Sequence, residues 1–446
     1  MAKNSKDLNH LKNNGKIIDK VLYLNEGIQF RKDKTNAYKN GKEMYGNSKY
    51  TADDVFKAIK LPITEEMITT GVVPIIQDKL DPNQKPYYVR EDNNNGKRER
   101  YSYQNFHNHY VKYQLLYFSS PAYINEYKSG VHGKILDMCC GNGKDIAKIR
   151  QTKYAELVGM DIDYKNIKEA QEWYKNMIPT PKPKAYFVRG DASKLIWPVQ
   201  ACGLTDADKI KIREFIPSKY MFDTISLQFC FHYFFESEIT LRTVIQNMND
   251  NLKIGGFVVG TTFDGEKIYN SLKGGDSISG KTPTGETMWR IDKKFTSTKL
   301  LFTDKKPNFG KKIDVLVKTI GVAHEEFLVN FNYLDKIMAE YGFAKVIIKP
   351  MEEYHKELME GKNLMDLSEK DLEKDISAAK KMSEDEKRWS FFSSGFIYKK
   401  EHNSSDSLMK KLVELIEKKD KLRKKDVFNV FNVDADTEHL IEDVAS

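Results

Sequence analysis

Apolar and polar positions alternate along this chain in two rhythms, and where the rhythm changes the chain divides. From Phe106 to Lys400, short apolar runs end in a glycine or polar turn: "GKILDM", "AELVGMD", "AYFVRGD", "FDTISLQF" and "GGFVVGTT". Such runs predict buried strands. Between them lie stretches with helical spacing. These are "KDIAKIRQ", "NIKEAQEWYKNM" (Ile167, Ala170, Tyr174 and Met177 on one side) and "ITLRTVIQNMNDNL" (Leu241, Ile245, Met248 and Leu252). Strands that alternate with helices predict an α/β fold, a mostly parallel sheet with helices on both faces. The run Ser271 to Asn308 is rich in Gly, Ser, Thr and Lys and is expected to be an excursion over the sheet. Beyond it "KKIDVLVKTIG", "AKVIIKP" and "SSGFIYKK" predict further strands, and "NYLDKIMAEYGF" a helix.

Outside this region the pattern differs. Before it, "KIIDKVLYLNEGIQFRKDKTNAY" alternates like a strand, and "YTADDVFKAIKLP" reads as a short helix with Asp53 near its start. Next, "DKLDPNQKPYYVREDNNNGKRER" is polar and broken by Pro and Gly, as linkers are. After it, Asp406 to Lys425 carries Leu408, Leu412, Leu415, Ile416 and Leu422 on one helical stripe. Three segments are expected: 1–95, 96–401 and 402–446.

Composition narrows the class of protein. In 446 residues no apolar run approaches the ~20 needed to span a bilayer. The first residues, "MAKNSKDLNHLKNNG", lack the apolar core of a secretion signal, so a cytosol-like compartment is expected. Cys139, Cys140, Cys202 and Cys230 show no C-x-x-C or Cys/His spacing, which argues against zinc and against a disulfide framework. The net charge is +8 and lysines cluster locally, which permits a polyanion partner.

The candidate chemistry sits at strand ends. In "ILDMCCGNGKD" an apolar strand runs into a turn with Gly141 and Gly143 and then a helix, the geometry that brings backbone close to a nucleotide-like ligand. The third glycine of a dinucleotide fingerprint is replaced by Ile146, and the Lys-Ser ending of a phosphate loop is missing, so a pyrophosphate does not suit it. Three acids end three successive strands. Asp137 can meet an ammonium, Asp161 can accept from ribose hydroxyls, and Asp191 from an adenine amino group. Ribose, adenine, a cationic amino-acid end and no phosphate describe S-adenosylmethionine. In this arrangement the chain resembles the Rossmann-like class I methyltransferases, which implies a seven-stranded, mostly parallel sheet with helices on both faces.

The next strand leads into "QFCFHYFFES", which resembles the Q-F-x-x-H-Y-x-F-E-S segment of messenger RNA cap (guanine-N7) methyltransferases. "NFHNHYVKYQLL" is similar to that family's N-N-W-x-K segment, "MCCGNGKD" to its G-C-G-K-G-x-D turn, and "FGKKIDVLV…HEEFLVNFNYLDKIMAEYGF" to its F-G-x-x-Y-x-F…P-E-F-L-V stretch. The likeness covers about Asn105 to Lys400. Upstream, "FRKDKTNAY" with "KLPITEEMITTG" resembles the end of the guanylyltransferase part of multifunctional capping enzymes of large DNA viruses. The K-x-D-G motif for covalent GMP is absent, so residues 1–95 are expected to be a remnant of an oligonucleotide-binding-fold tail.

The resemblance implies transfer of a methyl group from S-adenosylmethionine to N7 of the terminal guanine of GpppN-RNA, with no metal. On the donor side it implies Lys112 at the methionine carboxylate, Cys139 and Gly141 as the close-approach turn, Asp161 at the ribose, Asp191 with Ala192 at the adenine, and Gln228 with Tyr233 along the methionine arm. On the acceptor side it implies Asn108, His232 and Glu326 at the cap, Lys148 at cap phosphate and Phe392 stacked on guanine. Catalysis then rests on positioning by His232, Tyr233 and Glu326, because N7 has a lone pair and no proton to lose. Four positions depart from the pattern: Asn142 replaces a lysine, His109 and Tyr110 replace Asn and Trp, and Trp173 replaces a basic residue. Implied partners are capped RNA and either a guanylyltransferase/triphosphatase region of a longer enzyme or a small stimulatory subunit. Two other readings stay open from sequence: a methyltransferase for another RNA position or a small molecule, and a noncatalytic RNA-binding subunit.

Overall fold

The computed structural model describes residues 101–419, apart from 127–129, 178–181, 199–203, 218–221 and 366. The expectations for residues 1–95, including the helix near Asp53, lie outside the described residues, as does the chain beyond 419.

Eleven strands are formed among the described residues: β1 Lys134–Asp137, β2 Glu156–Asp161, β3 Lys184–Arg189, β4 Phe222–Gln228, β5 Leu252–Phe263, β6 Ser277–Lys281, β7 Thr287–Lys293, β8 Lys312–Val317, β9 Ala323–Phe327, β10 Phe343–Pro350 and β11 Ser393–Lys400. Seven build one sheet in the order β10-β11-β5-β4-β1-β2-β3. The pairs from β5 to β3 are parallel, and β11 runs antiparallel to both β5 and β10. Its central strands are apolar on both faces, as parallel strands covered by helices must be: Ile135, Leu136, Ile225 and Leu227 are fully buried.

The helix Glu238–Asn251 covers one face, packing Leu241, Val244, Ile245 and Met248 against β4 and β5 side chains. On the other face lie Lys112–Phe118 and Ile146–Gln151. Tyr164–Lys175 starts two residues earlier than its apolar spacing suggested, because Asp163 caps it by accepting the Lys165 N–H. Gly342, at φ +85°, ends the helix Phe331–Glu340.

Packing between β4, β5 and β11 leaves no room at Gly260. A Cβ there would lie 2.3 Å from the Leu227 carbonyl oxygen and 2.4 Å from Phe396 Cζ. Gly260→Ala is accordingly expected to cost about 3 kcal/mol of stability, read as a lower denaturant midpoint with an unchanged slope.

Within the segment expected as an excursion, Ser277–Lys281 and Thr287–Lys293 are ordered strands. Strands β6 and β7 form a hairpin, and with β8 and β9 they make a second, antiparallel sheet in the order β6-β7-β8-β9. Its turn closes at Thr282–Gly285, with Gly285 at φ +88°. Met288, Trp289 and Ile291 are buried from that hairpin. Three helices unread from sequence, Met351–Met359, Glu369–Lys380 and Glu384–Phe391, fill the interval between β10 and β11. Residues 406–419 are helical, and Leu412 is buried, so that part of the stripe faces the protein's own core.

Candidate active site

The turn after β1 is shaped by its two glycines in different ways. Gly143 (φ +78°) is required by packing, since a Cβ would sit 2.8 Å from Ile146 Cδ1 and 2.9 Å from Ala170 Cβ. Gly141 (φ +51°) faces open space, with nothing within 4 Å of an added Cβ. The turn therefore grips its own helices at one glycine and offers bare backbone at the other. Cys139, half-buried, directly precedes it, and its thiol is pushed well up by a hydrogen bond with Cys230 and by burial.

Asp161, at the end of β2, ties the turn down. Its Oδ2 accepts the Gly141 N–H at 2.9 Å, and its Oδ1 accepts from the Asp163 N–H (2.9 Å) and the Asn166 amide (3.2 Å). Burial raises its pKa against these bonds. Asp191 follows β3 and accepts the Ser193 N–H (2.8 Å) and hydroxyl (2.6 Å). Its loop is pinned from the helix Glu238–Asn251: Asn247 donates to the Ala192 and Lys194 carbonyls (3.1 and 2.7 Å) and accepts the Ile196 N–H at 2.9 Å. Gln228, ending β4, accepts the Thr261 hydroxyl at 3.1 Å and donates to Ser226 at 3.3 Å, which fixes its amide.

Asp137 is the least satisfied of the acids. It is buried, its Oδ1 has no hydrogen-bond partner, and its carboxyl is pushed up to about 8 by burial and then by neighbouring Asp145. A buried carboxyl oxygen without a donor is costly unless a cation or N–H meets it. That orphan oxygen, the bare backbone at Gly141 and the adjoining Asp161 fit a ligand with an ammonium end and a ribose.

Asp145 was not singled out by sequence. It accepts from Lys112 at 3.0 Å and from Lys148 at 2.7 Å, and burial notwithstanding, the two ammonium groups hold its carboxyl below the usual range. Lys112 is thus a buried cation held in place beside Asp137. For Lys148 the structure corrects the expectation of a phosphate contact. Its ammonium is bound by Asp145 and by the Lys144 carbonyl at 3.2 Å, so it is turned inward. Asn108 is half-exposed on the π-helical Phe106–Val111, which leads straight into Lys112–Phe118.

The second sheet supplies the opposite wall. Glu326 on β9 is 6% exposed, and its Oε2 lies 3.4 Å from His232 Nε2, within ion-pair reach but not aligned as a hydrogen bond. Burial pushes the Glu326 carboxyl up to about 8 and the His232 imidazole down to about 3, so near neutrality both tend to be uncharged. His232 stacks on Phe263 at 5.6 Å and meets the Tyr233 ring edge-on at 4.4 Å; Phe263 in turn meets Trp389 at 5.2 Å. These rings pack around His232, which faces Glu326, and they surround the two polar groups with apolar surface. Phe392 is not part of an open face. It is 5% exposed and packs edge-on to Trp289 at 5.7 Å, so the expected stacking on guanine is corrected to a core role.

A sheet of this order, with a glycine turn after β1 and an acid ending β2, defines a class I, Rossmann-like methyltransferase fold. The chain belongs to the mRNA (guanine-N(7))-methyltransferase family, whose domain matches residues 82–401. It is 27% identical over 340 residues to a probable mRNA-capping enzyme of Acanthamoeba polyphaga mimivirus, covering 70% of this chain and 27% of that protein. To the mRNA cap guanine-N(7) methyltransferase of Drosophila melanogaster it is 28% identical over 272 residues, covering 59% of this chain and 58% of the relative. The chain thus spans from about a quarter to somewhat over half the length of these relatives.

Proposed function

We propose that this chain transfers a methyl group from S-adenosylmethionine to N7 of the 5′-terminal guanine of GpppN-capped RNA. The observation that carries this reading is Glu326, a buried carboxyl with an unpartnered oxygen among apolar rings. The N–H donors of a bound guanine favour the ionised form of this carboxyl, in which it accepts from guanine's N1–H and exocyclic amine together; adenine presents no such pair. The bound donor supplies a methyl group on a positively charged sulfur. Around it Asp137 would meet the ammonium, Lys112 the carboxylate, Gln228 and Tyr233 the methionine arm, Asp161 the ribose, and Asp191 with Ala192 the adenine, while Cys139 and Gly141 bring backbone close.

N7 carries a lone pair and no proton, so no side chain has to act as a base. His232, held neutral by burial, positions the acceptor without adding a positive charge beside a cationic donor and product. The decisive assay uses donor with a labelled methyl group and GpppA-capped RNA, followed by digestion. Label in 7-methylguanosine is expected; label at a ribose hydroxyl, or equal transfer to uncapped RNA, contradicts the reading. The capped substrate is proposed to come from a guanylyltransferase/triphosphatase region of a longer enzyme, which similarity to a much longer probable capping enzyme supports.

Donor binding should also release a proton. An ammonium beside Asp137 favours its ionised form, so below about pH 8 binding expels the proton that burial holds there. Donor affinity is expected to climb as pH rises to about 8 and then level off. Titration calorimetry in two buffers of different ionisation enthalpy measures this directly; identical heats in both would contradict it.

A further inference from the structure

Trp173 is an exposed aromatic side chain beside the glycine turn that neither the donor nor the guanine site uses. It is 52% exposed, whereas Trp289 and Trp389 are buried and Trp197 is half-buried, with its N–H donated to the Ile216 carbonyl. Its place on the helix Tyr164–Lys175 decides what lies next to it. Trp173 stands three residues beyond Ala170 and four beyond Glu169, so the three share a face. Ala170 abuts Gly143, and Glu169 accepts from the Asn142 amide at 3.2 Å. Helical side chains lean toward the N-terminus of their helix, so a side chain at this position is disposed over the turn of helix that holds Glu169 and Ala170, the residue that meets Gly143.

The sheet order fixes the rest of the line. The Glu326–His232 pair lies at the end of β4, β1 with its glycine turn is the next strand, and the helix of Trp173 follows β2, the strand after that. Two strand spacings, about 10 Å, separate the ends of β4 and β2, and Trp173 stands in the last turn of the helix after β2, one turn beyond Ala170, which meets the glycine turn. Asn142 at the turn is bound to Glu169, and the exposed cation next to it is Lys144.

We infer that Trp173 is a stacking platform for the base of the first transcribed nucleotide, with the triphosphate bridge crossing the glycine turn between it and the guanine site. This inference rests on the guanine-N7 reading. An indole presents a π-face that any base can cover, so the contact adds affinity without sequence preference.

The test compares methyl transfer to GpppA with transfer to Gppp-ribose, which has the same guanine and triphosphate but no second base. Trp173→Ala is expected to lower kcat/KM for GpppA about 10-fold through KM and to leave Gppp-ribose unchanged. Trp173→Phe should recover most of the loss. GpppA should quench the tryptophan fluorescence of the unaltered protein more than Gppp-ribose does, and Trp173→Phe should abolish that difference. Equal losses on both acceptors, or no loss on either, would overturn the stacking role while leaving guanine methylation intact. No transfer by the unaltered protein to either acceptor would instead remove the guanine-N7 reading, and this inference with it.

Discussion

Glu326→Gln is expected to reduce kcat/KM for capped RNA by about 10³-fold or more and to leave the protein at least as stable. The rate loss follows from hydrogen-bond polarity. A carboxylate offers two acceptors to the two N–H groups of guanine, whereas a glutamine amide offers one acceptor and turns a donor against the other. A site built around a buried polar match discriminates by this order when one partner is wrong. The stability side follows from Glu326 standing at about 8 in the fold against 4.5 when exposed. A raised carboxyl favours the protonated fold, so its contribution is full below about pH 4.5 and is lost as pH rises through about 8. The neutral amide lacks this loss, and melting temperatures at pH 9 should favour the variant. A carboxyl that costs the fold stability at working pH is retained for what it binds. Loss of stability together with activity would show that Glu326 is structural.

Asp161→Ala is expected to weaken donor binding about 100-fold and to lower stability by about 2 kcal/mol. Two effects combine. The ribose loses its acceptor, and the Gly141 and Asp163 N–H groups and the Asn166 amide lose theirs. Each buried group left unpaired costs about 1–3 kcal/mol, reduced here because part of the site is open to water. Direct titration with the donor measures the first effect and thermal unfolding the second. A donor affinity within threefold of the unaltered protein's would separate Asp161 from the ligand and leave it only its structural bonds.

Much of this arrangement is legible in the residues. The strand runs, the glycine turn and the acids Asp137, Asp161 and Asp191 at successive strand ends carry their own signal, because period and turn chemistry are local properties. The second sheet was hidden because "TMWRIDK" is a brief alternation inside a polar, lysine-rich segment, and its partner β8 lies more than 15 residues away. Asn247 reads as one of many polar positions on an amphipathic helix, although it pins the Asp191 loop. Lys148 and Phe392 show the converse. Lys148 points to Asp145, a partner three residues away that the i,i+3 spacing offers, while Phe392 is settled by Trp289, which local spacing cannot bring to it. Glu326 has no periodic signature in "AHEEF"; the resemblance, rather than the pattern, singled it out.

The central claim is that Glu326 reads the guanine edge, and a two-by-two comparison addresses it most directly. Methyl transfer to GpppA is measured against transfer to IpppA, whose inosine lacks the exocyclic amine, in the unaltered protein and in Glu326→Gln. The account predicts that the unaltered protein prefers guanine by about 10-fold or more and that this preference largely disappears in the variant, a coupling between the carboxylate and the amine. The same guanine-to-inosine ratio in both proteins would contradict it.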